Sequence, residues 1–339
     1  MIKLDILDKK ILYILLNNGR AEYAKIGKQT GASLEKVKYR INRLVKKGII
    51  LGFRTILNYE IIGYSQHTIL LKLRSMNNQI RKNAEEILKR SPFTLWVGTC
   101  IGPYHFRINV VAKNSKHLKE VIETIDTALN YQIKDYKILS RVHKQLGKNY
   151  LVFSYLSTEE EIKQLNQLQL PTVNHKKKDI SILDKMDWKI LKILSTNPRT
   201  TFREIGKILN VTGEDIKYRF DKINSTYIIR NFSISMDFTK IGLIWWAIFL
   251  RITNKEEEKK LISHIINHAQ TTNLIRCIGD WDIEATFFSR QIGDADSYLL
   301  ELSHRFEENI LDSLILITND SLKHPQIAEG VFEEIENKK

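Results

Sequence analysis

Cysteine is almost absent from this 339-residue chain: Cys100 and Cys277 are the two occurrences, too few for a disulfide framework. No apolar run reaches the ~18 residues that a membrane-spanning helix needs. The strongest candidate, Ile241 to Ile252, is short, contains Gly242 and reads as a buried strand. The N-terminal MIKLDILDKK alternates charge with apolar residues and lacks a signal-peptide core, so a cytoplasmic protein without membrane contact is expected. There is no glycine-rich phosphate loop and no nucleophile–base constellation. His264 and His268 stand at i, i+4, but without an H-E-x-x-H glutamate or a third ligand, so no metal and no cofactor are expected. Cys100 and Cys277 each precede a turn glycine by two residues and read as buried small hydrophobes.

Positive charge is plentiful. The formal net charge is +14, and it is unevenly spread. Residues 1–150 hold 28 Lys and Arg against 11 Asp and Glu, a net +17, while the remainder nets −3. The anion-seeking surface therefore lies in the first half.

That half contains the stretch GASLEKVKYRINRLVKKGII, Gly31 to Ile50. Ser33 is an N-cap candidate, and Leu34, Val37, Ile41 and Leu44 repeat at helical spacing. The opposite face carries Lys36, Tyr39, Asn42, Arg43 and Lys46, with Lys38 and Arg40 on its flanks. Gly48 ends the helix and a β-rich stretch runs from Ile49 to Leu57. An apolar-backed helix with basic and hydrogen-bonding groups in front suits a major groove of double-stranded DNA.

The chain repeats itself. Ile26-Gly27 recurs as Ile205-Gly206, Lys38-Tyr39-Arg40 as Lys217-Tyr218-Arg219, and Ile62-Gly63 as Ile241-Gly242, all at an offset of 179. Leu4-Asp5 and Asp8 match Leu183-Asp184 and Asp187. In the first unit three helices and a strand pair predict a winged helix-turn-helix. From residue 65 the pattern becomes strand, helix, two strands flanking Gly102-Pro103, helix and strand. That βαββαβ order predicts a ferredoxin-like sandwich. The expected fold is α+β, in two tandem units: helix-turn-helix 1–60, βαββαβ domain 65–145, connecting helix and linker 146–179, helix-turn-helix 180–239, βαββαβ domain 243–325 and a C-terminal tail 326–339. Ser157-Thr158 before Glu159 predicts the cap of the connecting helix, and Pro171 to Asp179, with its three lysines, reads as linker.

The run Leu4-Asp5-x-x-Asp8-x-x-Ile11-Leu12, followed by Asn18-x-Arg20, Ile26-Gly27, Ser33, Val37, Arg40, Leu44 and Gly48-Ile49-Ile50, resembles the Lrp/AsnC transcription regulators. The resemblance covers nearly the whole chain twice, where the family usually has one copy. It implies DNA binding through Ser33 to Lys47, with Lys36, Tyr39, Asn42 and Arg43 at base edges. Lys38, Arg40, Lys46, Lys47 and the wing residue Arg54 would meet phosphates. It also implies self-association through RAM-type effector domains and sensing of a small molecule, an amino acid or other metabolite. Effector sites in the family lie near the turn of the central strands, here Gly102, Tyr104 and His105, and Gly279, Asp280, Trp281 and Asp282. A tight turn with an aromatic packed nearby explains the same residues, and His105 in place of Asp departs from the family's pattern.

The second helix-turn-helix departs where DNA binding is most affected. Lys36 becomes Asp215, Asn42 becomes Asp221, Lys46 and Lys47 become Ser225 and Thr226, and Gly48 becomes Tyr227. It is expected to bind DNA weakly or to act as scaffold. The expected function is therefore a sequence-specific transcription regulator and not an enzyme. A rival reading is an enzyme resembling the siroheme decarboxylases, which also pair Lrp-like units. Their His-Asn-Tyr-x-Arg run has only Tyr104-His105-Phe106-Arg107 as its nearest approach here. A third is a partner or sensor protein without DNA binding, against which the first half's charge argues.

Overall fold

The computed structural model describes residues 2–146, 153, 156–168, 179–253, 257–323 and 327–338. Of the expected linker from Pro171 to Asp179, all but Asp179 lies outside the described residues.

The first unit opens with α1 (Ile6–Asn17), α2 (Tyr23–Thr30) and α3 (Leu34–Lys46). A reciprocal capping box between Asp5 and Asp8 starts α1, which closes two otherwise orphaned backbone donors. Gly31, at φ 70°, ends α2 in a left-handed conformation that a side chain would disfavour. The Ser33 hydroxyl accepts from the Lys36 N–H and starts α3. Val37, Ile41 and Leu44 are fully buried, each worth roughly 1.5–3 kcal/mol over exposure.

Strand β1 (Ile50–Leu57) follows, then β2 (Ser65–Leu73), α4 (Asn78–Arg90), β3 (Thr94–Ile101), β4 (Phe106–Ala112), α5 (Ser115–Ala128) and β5 (Ile133–Leu146). After α6 (Glu159–Asn166) the order recurs: α7 (Lys185–Thr196), α8 (Phe202–Leu209), α9 (Gly213–Ser225), β6 (Ile229–Met236), β7 (Ile244–Ile252), α10 (Glu258–Asn267), β8 (Thr271–Gly279), β9 (Ile283–Ser289), α11 (Gly293–Arg305) and β10 (Ile310–Ser321). The chain ends in α12 (Glu329–Lys338), so the expected tail is a helix. It packs on α7 as α6 packs on α1, with Val331 and Phe332 buried. Thr158 and Glu161 form the capping box of α6, and Glu161 pairs with the buried Lys9 at 2.8 Å.

The strand pair expected within each helix-turn-helix does not form there. Each unit supplies one strand, and β1 pairs antiparallel with β6, Arg54 opposite Ser233 and Thr55 opposite Phe232. The ribbon is sewn to both first helices: Thr55 Oγ1 donates to the Leu194 carbonyl at 2.6 Å, and Ser233 Oγ to the Leu16 carbonyl at 2.7 Å.

The two βαββαβ sheets also join. β5 pairs with β8 and β3 with β10, closing one eight-stranded barrel in the order β10-β3-β4-β2-β5-β8-β9-β7. Closure removes every sheet edge. Helices α4 and α5 cover one outer face, and α10 and α11 the other. Leu70, Leu139, Phe249 and Leu316 fill part of the interior. The rest is polar and meets the ribbon at a cavity.

Candidate nucleic-acid interface

On α3 the residues Ser33, Lys36, Lys38, Tyr39, Asn42, Lys46 and Lys47 are exposed, Tyr39 to 64%. Two residues expected at the DNA are engaged elsewhere. Arg40 Nη1 lies 3.2 Å from Asp8 and also pairs with Asp5, and Arg43 Nη2 pairs with the Asp8 carboxylate. Asp8 is 1% exposed, and a carboxylate so buried needs cations beside it. Burial would raise the Asp5 carboxyl, but the Asp8 N–H and Arg40 outweigh it and hold the group below its usual range.

The same clamp recurs in the second unit. Arg219 Nη1 stands 2.8 Å from both Asp184 and Asp187, and Lys222 Nζ 2.6 Å from Asp187. Every member lies at the 179-residue offset. Because the clamp persists where the groove face has turned acidic, its role is to fix the third helix on the first. Arg43, expected at a base edge, and Arg40, expected at a phosphate, are thus partly exposed and engaged by carboxylates of α1 and its cap.

Arg54, the expected wing residue, lies on the ribbon. β1 is half of the central ribbon rather than a free wing, and Arg54 lines the cavity between ribbon and barrel. Burial pulls its guanidinium down to about 10.

α9 keeps Lys217 and Tyr218 exposed, Tyr218 to 75%, but Asp215 and Asp221 share its surface. Asp215 closes a capping box with Thr212, accepting from its backbone N–H at 3.2 Å. At the end of the helix Tyr227 holds φ 62°, where its counterpart Gly48 holds 69°.

The turn residues expected around an effector serve the barrel. Gly102 and Gly279 have φ 140° and 139°, and a Cβ on Gly279 would meet the Ile138 carbonyl oxygen at 2.1 Å. Tyr104 and Trp281 are buried in the interior, and the Tyr104 hydroxyl donates to Asp135 at 3.5 Å. Asp280 accepts from the Ile138 N–H at 3.1 Å and pairs with Lys137 at 3.2 Å, locking β5 to β8. His105 Nδ1 accepts from the Leu73 N–H at 3.1 Å, as Asp282 Oδ2 accepts from the Ile252 N–H at 2.9 Å. Histidine thus replaces aspartate without losing the strand contact.

Cys277 is buried as expected, whereas Cys100 is half-buried; the protein around it pushes the Cys100 thiol up to about 11, and both cysteines are free. Among the described residues no group of three metal-ligating side chains converges. His264 faces Glu301 at 3.0 Å. No described helix is long and apolar enough to cross a membrane.

Sequence reasoning missed the polar barrel interior. Arg107 pairs there with Glu284, Arg141 Nη2 donates to Asn109 at 2.7 Å, and Thr68 Oγ1 donates to Glu284 at 2.7 Å. The signal available was a single charge in each of two strands that otherwise read as buried, Arg107 in β4 and Glu284 in β9.

Residues 4–50 match the winged helix-turn-helix DNA-binding family, and residues 183–223 the AsnC-type helix-turn-helix domain. An uncharacterised HTH-type transcriptional regulator of Pyrococcus horikoshii is 31% identical over 137 residues, 40% of this chain and 93% of the relative. The HTH-type transcriptional regulator FL11 of the same organism is 30% identical over 146 residues, 42% of this chain and 94% of its own. The crystal structure of the siroheme decarboxylase NirDL superposes with a TM-score of 0.60 at 12% identity, covering 98% of this chain and 99% of that one. The last is a likeness of fold from end to end. With two helix-turn-helix units matched in one chain, each relative spanning under half of it, this protein belongs to the Lrp/AsnC family of HTH-type transcription regulators, in a tandem-duplicated form.

Proposed function

We propose that the chain is a sequence-specific DNA-binding regulator of the cytoplasm, not an enzyme, in which α3 reads the major groove and α9 serves as scaffold. The carrying observation is a contrast between two helices held by the same clamp. α3 presents Lys36, Lys38, Tyr39, Asn42, Lys46 and Lys47 to solvent, whereas α9 carries Asp215 and Asp221 on the matching face. Lysines there neutralise phosphates, while Tyr39 and Asn42 supply hydrogen bonds to base edges. The barrel holds the two halves together, and association of further chains would supply the second reading helix for a palindromic operator. A small-molecule effector completes the proposed role.

The test is a pair of double substitutions in the full-length protein. Tyr39→Ala with Asn42→Ala is expected to weaken binding to the cognate operator by roughly 10-fold or more, in keeping with the ~1–3 kcal/mol of a good base contact. Lys217→Ala with Tyr218→Ala is expected to change it less than about threefold. Equal losses would overturn the division of labour.

A siroheme-decarboxylase-like activity is the second reading, supported by the end-to-end fold likeness to NirDL. Against it, His105 spends its Nδ1 on the Leu73 N–H, and no histidine lines the central cavity among the described residues. Absorbance titration with siroheme decides between them: a stoichiometric complex that loses carbon dioxide favours the enzyme.

A further inference from the structure

A cavity of about 230 Å³ lies where the β1–β6 ribbon covers the polar end of the barrel. Arg54, Arg107, Arg141 and Lys144 line it, and Glu284 pairs with Arg107 and Arg141. Among the described residues the lining of the cavity carries these four cations and no carboxylate, so it presents positive potential to an entering anion.

Three donor atoms there are idle among the described residues. Arg107, with 4% of its side chain exposed, has no partner for Nε or Nη1 among the described residues, and Trp245 Nε1 has none either. Trp245 and Trp96 stand 5.2 Å apart between ring centroids, tilted by 57°, and line the cavity with aromatic surface. Lys144 lines the cavity and is exposed to solvent. Desolvation first, then the charges of Arg141 and Arg54, pull its ammonium down to about 7. A volume just under the ≈300–1,000 Å³ of drug-sized pockets suits a small metabolite rather than a macrocycle.

We propose that this cavity is a binding site for a small organic anion bearing two acid groups on an apolar or planar scaffold. One acid group meets the Arg107 and Arg141 end, the other meets Lys144 and Arg54, and the scaffold lies against the tryptophan pair. The ribbon strand carrying Arg54 belongs to the DNA-binding half and the remaining cations to the barrel, so the ligand joins the two. The assignment does not depend on α3 reading DNA.

The experiment uses the full-length protein without DNA. Phthalate and succinate are titrated at constant ionic strength, with benzoate as the single-acid control, following tryptophan fluorescence and melting temperature. A diacid is expected to give saturable quenching and a rise in melting temperature, with benzoate at least ~10-fold weaker. Lys144→Gln is expected to weaken the diacid about 10-fold while leaving the melting temperature of the free protein near that of the parent. Lys36→Ala with Lys46→Ala, on the exposed helix, is expected to leave it unchanged. Absence of saturable binding by either diacid would overturn the proposal. So would binding that survives Lys144→Gln and Arg141→Met but falls with the surface lysines.

Discussion

Arg20 and Arg199 occupy the same position in the two units, and each reaches, half-buried, into the other. Arg20 lies over Phe202, Phe220 and Phe232 at 5.1–5.6 Å and donates to the Thr200 carbonyl at 3.1 Å. Arg199 lies over Tyr23 and Phe53 at 4.5 and 5.0 Å and donates to the Gly19 carbonyl at 2.7 Å. The exchange makes the two helix-turn-helix units one body. Removing either guanidinium is expected to cost about 2–3 kcal/mol, combining a charged hydrogen bond with a desolvated cation–π contact. Urea unfolding of Arg20→Ala, Arg199→Ala and the double variant checks this. Losses below 0.5 kcal/mol would show that the exchange contributes little.

Glu284 occupies the barrel position that Arg107 occupies in the first unit, and the two pair across the interior. Burial alone would raise the Glu284 carboxyl; Arg107, Arg141 and the Thr68 hydroxyl outweigh it and hold it below its usual range. Its contribution is thus complete above about pH 4.5 and lost as pH falls below that. Glu284→Ala, which leaves buried cations unanswered, is expected to cost about 3–5 kcal/mol. Replacing Arg107 and Glu284 together by Met is expected to cost less than the sum of the single changes, which a double-mutant cycle reads directly.

His67 bridges Ser65 at 2.8 Å and Ser140 at 3.0 Å. Burial, with Arg141 next, pulls its imidazole down to about 4. The folded state holds it neutral while the unfolded chain protonates near pH 6.5, so stability is present above pH 6.5 and falls as pH drops toward 4. His67→Asn is expected to flatten that part of the stability–pH curve by up to about 3 kcal/mol. An unchanged slope would contradict the assignment.

Much of this was legible in the sequence. The 179-residue offset, the apolar stripe of α3, the capping boxes and the βαββαβ order all express local periodicity or turn chemistry. What was not legible is partnership. Nothing in the alternation of Ile50 to Leu57 says that its strand pairs with residues near 233, so Arg54 was read as a wing cation. Likewise Arg40 and Arg43 fit a groove-facing pattern, and only the fold shows the buried Asp8 that claims them. His105 read as a departure until its bond to the Leu73 N–H matched that of Asp282.

Gly48 and Tyr227 close the third helix of each unit with positive φ. At Gly48 a Cβ would meet nothing nearer than 3.9 Å, so strain rather than collision sets the effect of a substitution. Gly48→Ala is expected to cost about 1 kcal/mol. A thermal-melt shift of a few degrees checks this, and no shift would mean that the backbone relaxes.

The most direct measurement is fluorescence anisotropy of the full-length protein with the gene's own upstream region and a scrambled duplex, at two salt concentrations. The account expects tighter binding to the natural fragment, lost in Tyr39→Ala with Asn42→Ala. It also expects a salt dependence whose slope drops by about one unit in Lys46→Ala. Equal, salt-sensitive binding to both duplexes, indifferent to Tyr39 and Asn42, would contradict sequence reading by α3.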